Sequence, residues 1–177
     1  MKVSIRIATY NGERYISKQL ESILNQISKY DEVIISDDNS LDRTIDIIKS
    51  IKDCRIISIE NRNFNSPIFN FENAIKRASG DIIVLSDQDD IWESNKMEVI
   101  RQSFLNKYNN KPVLNLYNGV VIDEANNIIY NDLFGFLKIK KRFNNILVNI
   151  FKNKIIGCNR YCQVVCVNSF YFFKMAN

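Results

Sequence analysis

The chain has 177 residues, 46 % of them hydrophobic and 25 % charged, with a net charge of +4 and no histidine. That composition suits one globular domain able to bury a core and excludes a disordered or fibrous chain. No run of about twenty apolar residues offers a membrane span. The charged start, Met1-Lys2-Val3-Ser4-Ile5-Arg6-Ile7, has no signal-peptide apolar stretch, so the cytoplasm is the expected location.

Val3 to Ala8 reads as a first strand, ending at Tyr10-Asn11-Gly12. Ile16, Leu20, Ile23, Leu24 and Ile27 then recur at helical spacing and define one apolar face. A second strand, Val33-Ile34-Ile35, runs into Asp37-Asp38-Asn39-Ser40. Leu41, Ile45, Ile48 and Ile51 give the next helical stripe, with Asn39 to Asp42 supplying capping side chains. A third strand covers Arg55 to Ile59, and Cys54 is read as a lone thiol within a strand. After an Asn-rich loop, Ser66-Pro67 opens a helix with proline at its tolerated first position. Phe71, Ala74, Ile75 and Ala78 form its inner face and Gly80 ends it.

The next apolar run, Ile82-Ile83-Val84-Leu85, ends in Asp87-Gln88-Asp89-Asp90. Three carboxylates closing a buried strand are costly unless a cation joins them, and a hard divalent ion bound through oxygens is the natural partner. Side chains 87 and 89 point to the same side of an extended chain. Met97, Ile100, Phe104 and Leu105 mark one more helix, and strands are expected near 113–116, 120–122 and 128–130.

The β-α-β-α-β-α-β order predicts an α/β fold, a mostly parallel sheet with helices on both faces. Ligands of such sheets bind beyond the carboxyl ends of the strands. Three polar clusters fall there: Thr9-Tyr10-Asn11, Asp37 to Ser40, and Asp87 to Asp90. Each alone reads as a turn or a helix cap; together they point to a metal–phosphate site.

Two features of the second half stand apart. Lys138, Lys140, Lys141, Arg142, Lys152, Lys154 and Arg160 crowd one stretch with no acid among them, interleaved with Phe136, Ile139, Phe143, Leu147 and Phe151. Such a segment suits an anionic membrane surface or an anionic acceptor, and equally a solvated face over an ordinary core stripe; no nucleic-acid motif accompanies it. Cys158, Cys162 and Cys166 recur every four residues without the paired spacing of a zinc knuckle, and read as reduced thiols.

In this order, Ala8-Thr9-Tyr10-Asn11-Gly12-Glu13, Ser36-Asp37-Asp38-Asn39-Ser40 with Asp42 and Thr44, and Ala78-Ser79-Gly80-Asp81 leading to Ser86-Asp87-Gln88-Asp89-Asp90-Ile91-Trp92 resemble the family-two glycosyltransferases of GT-A fold. The ending at Trp92 looks like their rhamnosyltransferase-like branch, which serves bacterial surface polysaccharides such as O-antigen and capsule. The resemblance is close over residues 2–105 and weaker to Gly157-Cys158.

It implies inverting transfer of a sugar from a nucleotide-diphosphate donor to a glycan or polyprenyl-linked acceptor. Thr9, Tyr10, Asn11 and Glu13 would line the nucleotide pocket. Asp38 would face the base with Asp37 behind it, and Asp87 and Gln88 would meet the ribose or metal side. Asp89, with Asp87, would hold Mn²⁺ or Mg²⁺, and Trp92 would be structural. The implied division is one domain with a donor half (1–110), a partial acceptor half (111–158) and a non-matching tail (159–177). Peripheral contact with the inner membrane face would follow.

Past Gly157-Cys158 the pattern is lost, and truncation or frameshift near residue 158 is the expectation, with the catalytic base left unassigned; Asp123, Glu124 and Asp132 lack its motif surroundings. A non-catalytic nucleotide-sugar-binding remnant is one alternative. A nucleotidyltransferase is another, disfavoured because a Gly-rich basic loop after the first strand is missing.

Overall fold

The computed structural model describes residues 1–60, 63–105, 114–136 and 165–168. In chain order these form β1 (Val3–Thr9), α1 (Ile16–Leu24), β2 (Glu32–Asp37), α2 (Thr44–Ser50), β3 (Ile56–Ile59), α3 (Pro67–Ile75), β4 (Ile82–Asp87) and α4 (Lys96–Leu105). There follow β5 (Leu114–Leu116), β6 (Val121–Ile122), β7 (Ile128–Tyr130), α5 (Leu133–Phe136) and β8 (Val165–Asn168). The cationic run beyond 137, Cys158, Cys162 and the pattern break after Gly157 lie outside the described residues.

Six strands form one sheet in the order β3-β2-β1-β4-β8-β5, and β6 pairs with β7 in a separate hairpin. The first four run parallel, as the alternating helices require, since parallel neighbours need a crossover. Within this sheet β8 runs antiparallel to both β4 and β5. The result is the expected α/β architecture.

Alternation along the strands sorts side chains between two layers. Val3, Ile5, Ile7, Val33, Ile35, Ile82 and Val84 pack with Ile16, Leu20 and Ile23 of α1, Ile48 of α2 and Met97, Ile100 and Phe104 of α4. Burying each such side chain is worth roughly 1.5–3 kcal/mol, so this layer dominates the stability. On the opposite face Ala74 of α3 meets Ile34 and Ile59. Trp92 is buried against the larger layer, its indole N–H donating to Ser86 Oγ at 2.9 Å, which makes it structural.

Three apolar positions depart from the periodicity. Leu41 is 83 % exposed, because α2 starts three residues later and Asp42 turns the chain first by accepting the Thr44 N–H at 3.0 Å. Leu105 ends α4 and is exposed. Cys54 lies in the turn before β3 and is exposed, not in a strand.

The α3 layer also holds charge. Arg6 is 0 % exposed on central β1, and its only ion-pair partner among the described residues is Glu32, at 3.3 Å. Glu32 also accepts from Lys2 Nζ at 2.7 Å, Ser4 Oγ at 2.5 Å, and Ser79 N and Oγ at 2.9 and 2.8 Å. Burial pushes its carboxyl up, but the bonds from Lys2, Ser4 and Ser79 outweigh that and bring it down to about 2. Burial likewise brings Arg6 down to about 10 against the pull of Glu32. With Glu32 depressed, its contribution is present above its ordinary value near 4.5 and is lost as pH falls toward 2. Glu32→Ala leaves a buried guanidinium uncompensated, so a loss of about 3–5 kcal/mol is expected in urea denaturation at pH 7.

Candidate active site

Register decides what meets at the carboxyl edge. Thr9 of β1 lies opposite Asp37 of β2, and Ala8 lies opposite Asp87 of β4, so three parallel strands end level with one another. By alternation Tyr10, Asp38 and Asp87 belong to the α3 face, whereas Thr9 and Asp37 belong to the core face. Asp89 lies in the turn after β4, where the chain is no longer extended, so the alternation expected for side chains 87 and 89 does not hold. Thr9 is accordingly buried, its hydroxyl donating to Asp37 Oδ1 at 2.7 Å. Asp37 also accepts from Ser40 N and Oγ, at 2.8 and 2.6 Å, and so folds the loop after β2.

That loop is laced to the one after β1. Asn11, at φ +49°, donates its N–H to Ser40 Oγ at 2.9 Å and accepts the Leu41 N–H on Oδ1 at 2.9 Å. Gly12 N donates to Thr44 Oγ1 at 2.7 Å, Glu13 N to Asp42 Oδ2 at 3.0 Å, and Arg43 N to Glu13 Oε2 at 2.9 Å. The side chains of Asn11 and Glu13 thus brace one loop against the other. On the far side Gln88 pairs with Tyr10 in both directions, accepting the Tyr10 N–H at 3.0 Å and donating to its carbonyl at 3.1 Å. A Cβ at position 12 would overlap Gln88 Oε1, so any larger residue there would displace that carboxamide from Tyr10.

Inside this frame two groups of acids face the edge. Asp38 accepts three backbone N–H bonds at the entry to α3, from Phe64 at 2.5 Å, Asn65 at 3.3 Å and Ser66 at 3.2 Å. A ligand N–H at Asp38 would share a carboxylate already fixed in orientation. Beneath it Asn70 is buried and donates to the Thr9 carbonyl at 3.1 Å. Tyr10 beside it is 55 % exposed.

Asp87 is pushed up to about 7, first by burial and then by the charge of Asp89, with Lys96 pulling the other way. Lys96 is itself buried, its Nζ 4.8 Å from the centre of the Trp92 ring. Among the described residues no three acids, cysteines or histidines converge on one metal position. Asp87 and Asp89 suffice for Mg²⁺ or Mn²⁺, which commonly take one or two carboxylates plus substrate phosphates. A half-buried carboxyl strained by its neighbour's charge gains from a cation, so the donor set fits. Asp90 is buried.

The remaining acids do other work. Asp123 accepts the Ala125 and Asn127 N–H groups, each at 2.8 Å, in the β6–β7 turn, and Asp132 accepts from Asn118 Nδ2 at 2.8 Å. Asn70 and Lys96 carry no motif signal; only the interleaving of a helical pattern with polar residues marks them. Gln88 stands in the motif, but its bonds to Tyr10 make it a loop clamp.

Residues 4–159 match the family described as glycosyl transferase family 2, and the chain belongs to that family. Among curated relatives, a UDP-Glc:alpha-D-GlcNAc-diphosphoundecaprenol beta-1,3-glucosyltransferase of Escherichia coli, WfaP, is 44 % identical over 95 residues, 54 % of this chain and 38 % of the relative. A second such E. coli enzyme, WfgD, is 31 % identical over 161 residues, 88 % of this chain and 57 % of the relative. The chain thus spans from somewhat over a third to somewhat over half of their lengths. The crystal structure of S. aureus TarS 1–349 in complex with UDP-GlcNAc is similar at TM-score 0.55 and 25 % identity, over 69 % of this chain and 34 % of that one. The fold is therefore GT-A. These two relatives carry glucosyltransferase names; a rhamnosyltransferase-like branch is not singled out.

Two outcomes follow for stability. Asp38→Ala strips three backbone N–H groups of their acceptor, so hydrogen exchange at Phe64, Asn65 and Ser66 is expected to quicken by one to two orders of magnitude, about 1–3 kcal/mol. Asp87 is raised, so the native state holds a proton that the unfolded chain loses near 3.8, and this stabilising difference fades as pH rises toward 7. In metal-free buffer Asp87→Asn should therefore raise Tm at pH 8 by several degrees, roughly 2–4 °C per kcal/mol, and change it little at pH 4.

Proposed function

We propose that this chain is the donor-binding part of an inverting glycosyltransferase. It takes a hexosyl group from a uridine-diphosphate donor and delivers it to a polyprenyl-diphosphate-linked saccharide in cell-surface polysaccharide synthesis. The observation that carries this reading is the pairing of Asp87 with Asp89 at the level end of three parallel strands, where burial and mutual repulsion favour a cation. The relatives' names support the donor and the acceptor class, and the TarS complex supports a uridine nucleotide.

Asp89 and Asp87 would hold Mn²⁺ or Mg²⁺, whose chemistry is to neutralise the diphosphate as it leaves. Tyr10, exposed on the same face as Asp38, offers a ring against which a base can lie, while the fixed Asp38 carboxylate can accept a base N–H. Gln88 holds the Tyr10 backbone at that level, so the stacking surface and the carboxylates keep one spacing. In the transfer, an acceptor hydroxyl oxygen bonds to the anomeric carbon as its bond to the diphosphate breaks. The electron pair leaves with the diphosphate, and the hydroxyl proton passes to a general base.

Lys96 limits repulsion between the two acids in the absence of ligand. A location at the cytoplasmic membrane face follows from the acceptor; no described helix is long and apolar enough to cross a membrane.

The test is calorimetric titration of UDP in Mn²⁺ and in EDTA. Mn²⁺-dependent binding is expected, with Asp89→Ala weakening it at least tenfold while circular dichroism and Tm hold. Equal affinity of wild type and variant would refute the metal assignment. Binding without UDP release from UDP-glucose would favour the non-catalytic binding module.

A further inference from the structure

A hollow of about 180 Å³ opens on the other side of Asp89, between the start of α1, the turn after β4 and the β6–β7 hairpin. It is smaller than the roughly 300–1,000 Å³ of sites that enclose whole drug-sized ligands, so it suits one ring of a larger molecule. Its walls divide by chemistry. Tyr15 and Ile91 offer an aromatic and an aliphatic surface to a sugar's apolar face, and four acids, Asp89, Asp90, Asp123 and Glu124, stand along the walls facing its hydroxyls. Arg14 and Lys18, one helical turn apart, bring the positive charge.

The charge is available. Arg14 reaches Glu124 across the mouth at 3.7 Å, and their side chains are 68 % and 58 % exposed. A pair so long and so wet contributes little, so an arriving anion can take Arg14 from Glu124 without loss to the fold. Lys18 is exposed and carries no ion pair among the described residues. The acids disfavour a phosphate against their own walls, so the side of the hollow held by Arg14 and Lys18 is where an anion is tolerated. A guanidinium beside an ammonium is well matched to phosphate oxygens.

Resting on the function proposed above, we infer that this hollow is the acceptor subsite. It takes the terminal sugar of a saccharide diphosphate, with Arg14 and Lys18 holding the diphosphate. Asp89 is common to both sites, so a hydroxyl seated here lies next to the donor's diphosphate. Recognition of charge by Arg14, just before α1, and Lys18 within it makes the chain select a phosphorylated acceptor over the same sugar without phosphate.

The experiment uses the whole chain saturated with UDP and Mn²⁺, so that donor-side phosphate positions are filled. Two probes are titrated: a short-alkyl N-acetylglucosaminyl diphosphate and the matching neutral alkyl N-acetylglucosaminide. The diphosphate is expected to bind at least tenfold more tightly. Arg14→Glu with Lys18→Glu should bring it down to the level of the neutral probe, and Lys18→Arg should retain most of the preference. Both positions are exposed, and an unchanged Tm checks the fold of each variant. Equal binding of the two probes, or an undiminished preference in the double variant, overturns the inference. Absence of Mn²⁺-dependent UDP binding in the wild type counts instead against the function itself.

Discussion

Three parallel strands that stop at the same level are the constraint on which the site depends. β1 is central, with β2 hydrogen-bonded on one side and β4 on the other, and the register brings Thr9, Asp37 and Asp87 to one edge. A slip of one residue in either pairing would send Asp38 or Asp87 through the sheet to the apolar layer, since successive side chains alternate faces. Apolar packing against α1, α2 and α4 forbids the slip. The core thereby specifies the geometry of acids that it does not touch.

The two edges of the sheet use charge in opposite ways. At the amino edge Glu32 is saturated with donors and Asp31 likewise accepts from Val3, Ser28 and Arg101, so both carboxyls sit below their ordinary values and stabilise the fold. At the carboxyl edge Asp87 is driven upward by burial and by Asp89, which is a cost in the folded chain. Families of acids that look alike in sequence therefore divide into structural and ligand-seeking groups by their partners. The loops that frame the second group are held by side-chain-to-backbone bonds among Asn11, Glu13, Ser40, Asp42 and Thr44, and an ordered frame lowers the entropic cost of binding.

Strand and helix order was legible from periodicity, because β1 alternates apolar residues with Ser4 and Arg6, β2 and β4 carry short apolar runs, and α1 has an unbroken stripe. Leu41 misled because apolar spacing alone does not show that Asp42 starts the helical turn after it. Asn39 was readable only as a cap or turn residue; the structure shows it at φ +64°. At the site, the acids were visible as clusters, but their duties were not. Thr9, Asn11 and Glu13 spend their side chains on neighbouring loops, and Gln88 spends its own on Tyr10, across sequence separations of 28 to 78 residues. Lys96 near Asp87 and Arg14 opposite Glu124 are likewise products of tertiary placement, invisible to local pattern. The charge-selective hollow depends on the hairpin folding back to α1, which no stretch of residues announces.

The central claim is that one cation and one pyrophosphate are gripped at the end of β1 and β4. It is tested most directly by backbone amide NMR of the chain with UDP, using Mg²⁺ and then paramagnetic Mn²⁺. The account predicts shifts at residues 9–11, 37–38 and 64–66 with Mg²⁺, and relaxation broadening by Mn²⁺ centred on 87–90. Broadening centred on the amino edge near Asp31 and Glu32, or none localised at the end of β4, would contradict it.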